Sequence, residues 1–600
     1  MAKKSQKEQT PPNPANASSS STPAKQTTPA KSGKSSYPTK ISTNSGDTKK
    51  KGANKAAQES STDARAANSD RRAGAPSAST NRPAADLNFA LQQLRSRNVI
   101  GATYNSLDTG AQRCHDGTRV ADQDNLVNWI KQASTSKDSP RIQWVTGSPG
   151  SGKTTVLRSV AHRCQSEGLL AGSFIFSSVS PYANERKKTH LFASLAYQFV
   201  VNDDMRDLKG LILSTVQRNP GVFESALDAQ LEELLLRPLR QVPSERKSRW
   251  PKAIIIDNLD ECMAPPPQGF KGKRRTNSSE QQEVLNALLR ALRDTAFPFR
   301  LVIGTRDDQP FHLFFTRTAR GLASTFRLNE KPSEAGVEPF LKAKFNQIRQ
   351  RHHFDQSWPH STLLPKLTTS SHGRFIYPFT LIRYLESSTW NSPKQDPLNQ
   401  LSSSNSVANP AKNLDELYSL ALGSDSSDSS NATQFVRWIW TTHLIQTGHF
   451  GEPVSEHLTA AFLHQFLGPV TNSDTLIGTF MDSSSPIRIY HRSLLDFLGD
   501  RTRCGPFKLY VQEPSRFSFI ATRYVEVCKN KGAPKGSSMD QGAFLRIFLT
   551  LQPSFHLLTK EDYRSLEQSL LACDAECVVG LVAVLRVEDG GLRFYSAVGT

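Results

Sequence analysis

Six hundred residues exceed what one core can use, and at roughly 150 residues per domain the length implies about three or four folded units. The apolar fraction of 37% lies below the roughly 45–50% of an average globular chain, so part of the sequence is not expected to fold. The chain carries a formal net charge of +19 and seven cysteines without CxxC spacing, opens on no charged-then-apolar leader, and holds no run near the roughly 18 apolar residues that span a bilayer. This argues against an exported, membrane-spanning, disulfide-framed or structural-zinc protein and for a cytoplasmic one with reduced thiols.

Residues 1–88 are read as a disordered basic arm. The first 85 are dominated by Ser, Thr, Ala, Pro, Lys and Asn, hold one aromatic, Tyr37, and show no apolar stripe to offset the entropy of ordering. Eleven Lys and four Arg against five acids give this arm +10 of the net charge. Such an arm suits contact with RNA, DNA, anionic lipid or an acidic partner. The KKK run at 49–51 also fits a nuclear import signal, and a solvated tail with no specific partner fits equally.

Residues 89–330 are predicted to form an α/β domain. ADLNFALQQL begins an amphipathic segment, and NLVNWIKQAS places Leu126, Trp129 and Ile130 at helical spacing. RIQWVTG, LLAGSFIFSS, KAIIIDN, FRLVIGTR and STFRLNE follow as short strand-like runs separated by helical stretches such as HLFASLAYQFV and LDAQLEELLLRPL. Parallel neighbours need such long crossovers, so the pattern predicts a parallel sheet flanked by helices. Residues 331–425, with VEPFLKAKFNQI and RFIYPFTLIRYLE, read as a helical domain ending in a Ser-rich linker; Ser/Asn-rich stretches at 401–412 and 423–432 flank LDELYSLAL. In 426–515, FVRWIWTTHLI and SEHLTAAFLHQFL precede a strand-like IRIYH and RSLLDFL, the order of a small winged-helix-like domain. Residues 516–600 are predicted helical, with no internal repeat.

The chemistry concentrates in WVTGSPGSGKTTVLRSVA, which fits GxxxxGK[ST] between a strand and a helix. Gly147, Ser148, Pro149, Gly150, Ser151 and Gly152 form the bend whose backbone N–H groups face phosphates. Lys153 adds a point charge, Thr154 a hydroxyl for Mg2+, and Thr155 completes the motif. A P-loop needs a metal-positioning carboxylate on a neighbouring strand, and KAIIIDNLDEC ends its apolar run in Asp257. Either Asp260 or Glu261 is a candidate to orient the attacking water or take its proton; a solvated turn or helix cap is the competing reading. Asn258 follows Asp257 where fast ring-shaped ATPases usually carry glutamate, so hydrolysis is expected to be slow. The next strand ends in Thr305 and Arg306 at the carboxyl edge of the sheet. Arg306 is a candidate γ-phosphate sensor, against a surface salt bridge to Asp307 or Asp308.

These segments resemble the NACHT nucleotide-binding proteins of the STAND class, particularly fungal members, over about residues 95–515. The resemblance is carried by CHDGTRVADQDNLVNWI, GSPGSGKTT, LFASLAYQFV, AIIIDNLDEC, QQEVLNALLRAL, LVIGTRDD, GRFIYPFTLIRYL and PIRIYHRSLLDFLGDRTRC. It implies nucleotide-binding, helical and winged-helix domains closed around ADP at rest and opened by exchange to ATP, usually with homo-oligomerisation. By the same resemblance, Asp257 matches the metal-binding acid, Asp260 and Glu261 the following acidic pair, and Arg306 the polar sensor. His491 matches the winged-helix histidine that reaches the phosphates of ADP, and Thr118 and Arg119 the segment near the base. On residue type alone, His491 beside Leu494, Leu495 and Phe497 equally suits packing. The chain departs from the family at Asn258 and in the long basic loop at 264–279. It shows only a non-repetitive helical segment where the family usually carries sensing repeats, so the sensing element is expected to be missing, unrecognised or provided by another protein.

The expectation is therefore a switch binding ATP/ADP with Mg2+, reset by slow hydrolysis; the phosphate motif does not distinguish these nucleotides from GTP. Two alternatives stand beside it. One is an ATPase guided by its basic arm that remodels protein or nucleic acid, and the other a scaffold that no longer hydrolyses.

Overall fold

Four of the five strands of the α/β region are buried along their whole length rather than on alternate residues, as a sheet covered on both faces requires, and the fifth, at an edge, is partly exposed. In the computed structural model they are β1 (Ile142–Thr146), β2 (Leu170–Ile175), β3 (Ala253–Asp257), β4 (Arg300–Gly304) and β5 (Ala323–Arg327). All are parallel, in the order β2-β3-β4-β1-β5. The structure describes residues 82–106, 113–132, 139–265, 275–328, 336–388, 398, 410–423, 429–450, 458–483, 486–530, 539–551, 558–571, 583–588 and 591–596. The basic arm up to residue 81, residues 266–274 of the basic loop, and residues 401–409 and 424–428 of the two Ser/Asn-rich stretches lie outside the described residues.

Successive side chains of a strand point to opposite faces, and each face has its own core. Ile255, Val302 and Val145 pack with Leu126 and Ile130 of α2 (Val120–Lys131) and with Val156, Leu157 and Val160 of α3 (Lys153–Ser166). Ile254, Ile256, Leu301, Ile303 and Trp144 face the other way. They meet α4 (Leu191–Val201), α5 (Arg206–Arg218) and α6 (Asn277–Arg293), and α1 (Arg82–Arg97) joins the same core. Each fully buried aliphatic side chain contributes about 1.5–3 kcal/mol, so this double-sided core holds the strand ends rigidly where the motif residues sit.

From residue 336 onward the described residues are mainly helical. The elements are α7 (Val337–His352), α8 (Leu363–Ser371), α9 (Ile376–Ser387), α10 (Pro410–Leu422) and α11 (Ser429–Gln446), then α12 (Ala460–Leu467) and α13 (Ser473–Phe480). A short antiparallel pair, Met481–Asp482 with Arg488–Ile489, leads into α14 (Arg492–Gly499). The order here is helix, strand pair, helix. One continuous apolar cluster runs from Val337 through Tyr418, Trp438 and Phe497 to Leu566. The C-terminal part contains α15 (Glu513–Lys529), α16 (Gln541–Phe548) and α17 (Lys560–Leu571).

It also contains something the helical expectation for 516–600 did not include, an antiparallel hairpin of Ala583–Glu588 and Gly591–Ser596. Its sequence, VLRVE then LRFYS around Asp589-Gly590, carries the strand and turn chemistry that favours hairpins. Among the described residues no helix is long and apolar enough to cross a membrane.

Candidate functional site

β1 runs into the loop 147–152, and α3 starts at Lys153 with Gly152 as N-cap. Gly150 and Gly152 have φ of 78° and 92°, backbone that a side chain would strain. The bend thus brings the loop amides and the first amides of α3, which lack intrahelical acceptors, to one point with the positive end of the helix dipole. Lys153 is buried, and its ammonium donates to the Gly147 carbonyl at 2.8 Å and the Ser148 carbonyl at 3.2 Å, over the loop. Ser151 is buried, Pro149 exposed, and Thr155 holds Ser159 through its carbonyl. Thr154 donates its hydroxyl to Asn258 Oδ1 at 3.0 Å.

Asp257 ends β3, but β3 does not neighbour the P-loop strand as expected: β4 lies between them. The register pairs Val145 with Gly304 and Ile256 with Ile303, so the intervening strand carries glycine at the level of Asp257. A Cβ on Gly304 would sit 2.1 Å from Asp257 Oδ1 and 2.6 Å from Leu157 Cδ1. The missing side chain is what lets the carboxylate lie across β4 towards the P-loop. Asp257 is fully buried, and neither carboxylate oxygen accepts a hydrogen bond of good geometry. Burial raises its carboxyl to about 6, against the opposing pull of the Thr154 hydroxyl, the Asn258 amide and Lys153. Orphaned hard oxygens beside a hydroxyl suit a hard divalent cation, so Thr154 and Asp257 fit Mg2+.

Asn258, read from sequence as a departure, has a place of its own. Its φ of 52° is left-handed, which Asn tolerates better than most residues, and this turns its side chain back onto Thr154.

The acidic pair separates. Glu261 Oε2 accepts from the Ser178 amide at 2.7 Å and hydroxyl at 2.8 Å, which ties it to the chain after β2. Asp260 turns the other way, with its side chain 6% exposed, so neither residue matches a solvated turn. Arg306 donates its backbone N–H to Asp260 Oδ1 at 3.2 Å and its Nε approaches Oδ2 at 3.2 Å, while an Nη nitrogen lies 2.8 Å from Asp496 of α14. Asp307 instead pairs with Arg327, which replaces the surface bridge weighed for Arg306. Burial raises the Asp260 carboxyl, as does Glu261, against Arg492 and Arg306. Burial disfavours the Arg306 charge, but Asp496 and Asp260 outweigh it and raise its pKa. Thr305 faces away from the cluster: it accepts from Trp144 Nε1 at 2.8 Å and donates to the Arg306 carbonyl.

His491 is the N-cap of α14, its Nδ1 accepting the Ser493 amide at 3.0 Å. Burial, then Arg306, lowers its imidazole to about 4. With Nδ1 accepting, the neutral ring carries its proton on Nε2, so it is a hydrogen-bond donor without being a cation.

The helical region covers the P-loop. Arg374 donates to Ser148 Oγ at 3.1 Å. The Ile376 amide donates to the Gly150 carbonyl at 3.2 Å, a backbone bond that seats the first turn of α9 directly on the phosphate loop. A Cβ on Gly150 would meet Ile376 Cγ2 at 2.1 Å, and one on Gly152 would touch Phe375. Arg119, buried and left-handed at φ 54°, donates to the carbonyls of Ser151 at 2.8 Å and Gly373 at 3.0 Å and pairs with Asp122. Thr118 packs against Gly336 at the start of α7. The Thr118–Arg119 segment therefore lies between the P-loop and the helical region.

The structure brings together Lys153, Thr154, Asp257, Asp260, Arg306 and the region of His491, and it separates Glu261 from them. Sequence reasoning missed Gly304, Arg374, Arg492 and Asp496. A glycine ending an apolar strand was a signal for the first; the spacing of four in HRSLLDFL was one for the last two.

A parallel sheet with helices on both faces, a glycine bend from β1 into α3, and a buried acid one strand removed define a P-loop nucleotide-binding domain. The nephrocystin 3 N-terminal family model matches residues 117–306, from just before Thr118 to Arg306. The matching model is thus not that of the NACHT family whose motifs the sequence resembles. No curated protein matches the chain. The solved "Structure of Drosophila ORC bound to DNA" is similar at 15% identity, covering 81% of this chain and 93% of that one, with a TM-score of 0.29; at that score the likeness says nothing about function.

Proposed function

We propose that this chain is a nucleotide-dependent switch of the NACHT type in the STAND class. ADP is held in a closed form, exchange for ATP opens it into a form that homo-oligomerises, and slow hydrolysis resets it. The observation that carries this reading is the seating of the helical region on the phosphate loop, by Arg374 on Ser148, Ile376 on Gly150, and Arg119 between Ser151 and Gly373. A ligand shifts a conformational equilibrium only through different affinity for its two states. Contacts made by one region onto the loop that grips the phosphates supply that difference, because a change at the phosphates alters them directly.

Within this reading the loop 147–152, Lys153 and Thr155 bind the phosphates, and Thr154 and Asp257 hold Mg2+. The ion supplies charge neutralisation between the phosphate oxygens. Asp260 takes the proton of the attacking water, Arg306 answers the γ-phosphate, and His491 donates from Nε2 to the phosphates of ADP. Glu261 positions the turn through Ser178 and takes no part in proton transfer. Asn258 occupies the site of the glutamate of fast ATPases, which supports slow turnover. The remodelling alternative draws on the basic arm and its contacts with nucleic acid or acidic surfaces; no described residue favours it.

The test is to purify the protein, identify the nucleotide that accompanies it, and measure mass and turnover with ADP and ATP for wild type and Lys153→Ala. ADP retention, low turnover and ATP-dependent assembly, all lost in the variant, are expected. A correctly folded wild type with no affinity for any nucleoside di- or triphosphate refutes the proposal.

A further inference from the structure

Arg492, the residue after His491, takes no part in nucleotide binding as proposed above, yet its side chain reaches the nucleotide-binding domain. Arg492 and Asp496, four apart on α14, share one face of the helix. Arg492 Nη1 lies 3.3 Å from Asp260 Oδ2 and 3.2 Å from the Asp260 carbonyl. Arg306 Nε is 3.2 Å from that same Oδ2, and its Nη2 is 2.8 Å from Asp496 Oδ2. Arg492 Nε closes the ring at 3.8 Å from Asp496 Oδ1. Two acids and two cations thus alternate around a neutral quartet, one acid and one cation from each side.

We propose that Arg492 and Asp496 are positioning residues that keep the hydrolytic groups of the site disarmed while α14 is docked, and that undocking arms them. This rests on the nucleotide reading above. In hydrolysis, water attacks the γ-phosphorus, the bond from phosphorus to the ADP oxygen breaks, and the water's proton passes to a base, leaving ADP and phosphate. Asp260 is the acid placed for that base; burial raises its carboxyl, and the flanking Arg492 and Arg306 hold that rise back, because neighbouring cations weaken a carboxylate's hold on a proton. Arg306 is the cation placed to answer the γ-phosphate, but it is engaged by Asp260 and Asp496 together. One motion of α14 removes Arg492 from Asp260 and Asp496 from Arg306, so it strengthens the base further and frees the guanidinium in the same event. The members are 6% to 29% exposed at the side chain, buried enough for the pairs to matter and open enough for salt to weaken them.

The test uses the full-length protein as wild type, R492A, D496A, R492K and the charge exchange R492D/D496R, which sets acid against Asp260 and cation against Arg306. ATP turnover, release of a fluorescent ADP analogue, and the radius of gyration by small-angle scattering are measured at low and high salt. Turnover and ADP release are both expected to rise, by about tenfold in the single alanine variants on the scale of lost partly buried charge pairs, and further in the exchange. R492K is expected to stay near wild type, and added salt to accelerate release in wild type but not in the exchange variant. A fall in turnover in R492A with ADP release unchanged overturns the proposal, because Arg492 would then act on the phosphates directly. So does an exchange variant with wild-type radius and release. If no form binds nucleotide, the nucleotide reading itself has failed, and scattering alone decides whether the quartet holds α14 in place.

Discussion

Gly304→Ala tests the geometry of the metal site without touching the P-loop or the acid. The added Cβ would stand 2.1 Å from Asp257 Oδ1 and 2.6 Å from Leu157 Cδ1, where carbon–carbon contacts settle near 3.5–4.0 Å. Leu157 is fully buried against the sheet, so the carboxylate must move, by about an ångström. Disturbing the surroundings of a metal ligand costs about 10- to 100-fold in metal affinity, and overpacking costs about 1–3 kcal/mol of stability. The assay is titration of a fluorescent ADP analogue with and without Mg2+, alongside urea unfolding. A loss of about 10- to 100-fold in affinity is expected with Mg2+, and little change in its absence. Wild-type affinity with Mg2+ in a folded Gly304→Ala protein would refute the claim that Asp257 reaches across β4 to the ion.

Gly210→Ala in α5 is the converse control, since nothing lies within 4 Å of its would-be Cβ; a gain of about 0.5–1 kcal/mol in unfolding free energy is expected, and a loss would show that the helix surface is misread. Arg119→Ala removes charged donors from the Ser151 and Gly373 carbonyls, at about 1.5–3 kcal/mol for a hydrogen bond to a charged group. Lower stability should come with faster ADP release, and unchanged release would detach Arg119 from the switch. His443, on α11, has its imidazole lowered to about 3 by burial and then Arg186, and its Nδ1 makes no hydrogen bond. Between pH 3 and 6.5 the unfolded chain binds a proton there that the folded chain refuses. Stability is therefore complete above that window and falls on acidification through it, by up to about 1.4 kcal/mol per pH unit. Unfolding of wild type and His443→Gln at pH 7.5 and pH 5 checks this, and a difference between the two proteins that does not change with pH would rule it out.

The phosphate loop was legible in the sequence because its chemistry is local. Glycines, a lysine and a threonine between a strand and a helix dictate their own backbone, whatever surrounds them. The apolar runs of the strands were legible for a similar reason, since burial on both faces leaves no polar period, and Asp257 stood out as the charge that ends one. What was not legible depends on which strand lies beside which. Only the order β2-β3-β4-β1-β5 puts β4 between the loop and the acid, and so turns Gly304 from a strand-end glycine into the space the carboxylate needs. The two acids after Asn258 are equivalent in sequence, yet in the fold Glu261 meets Ser178 and Asp260 meets Arg306. Arg492 and Asp496 show the same limit at longer range. Their spacing of four declares a shared helix face, but the charges that face meets, on Asp260 and Arg306, come from a distant part of the chain. Only packing of α14 against the sheet edge decides the pairing, because electrostatic partners are set by distance in space.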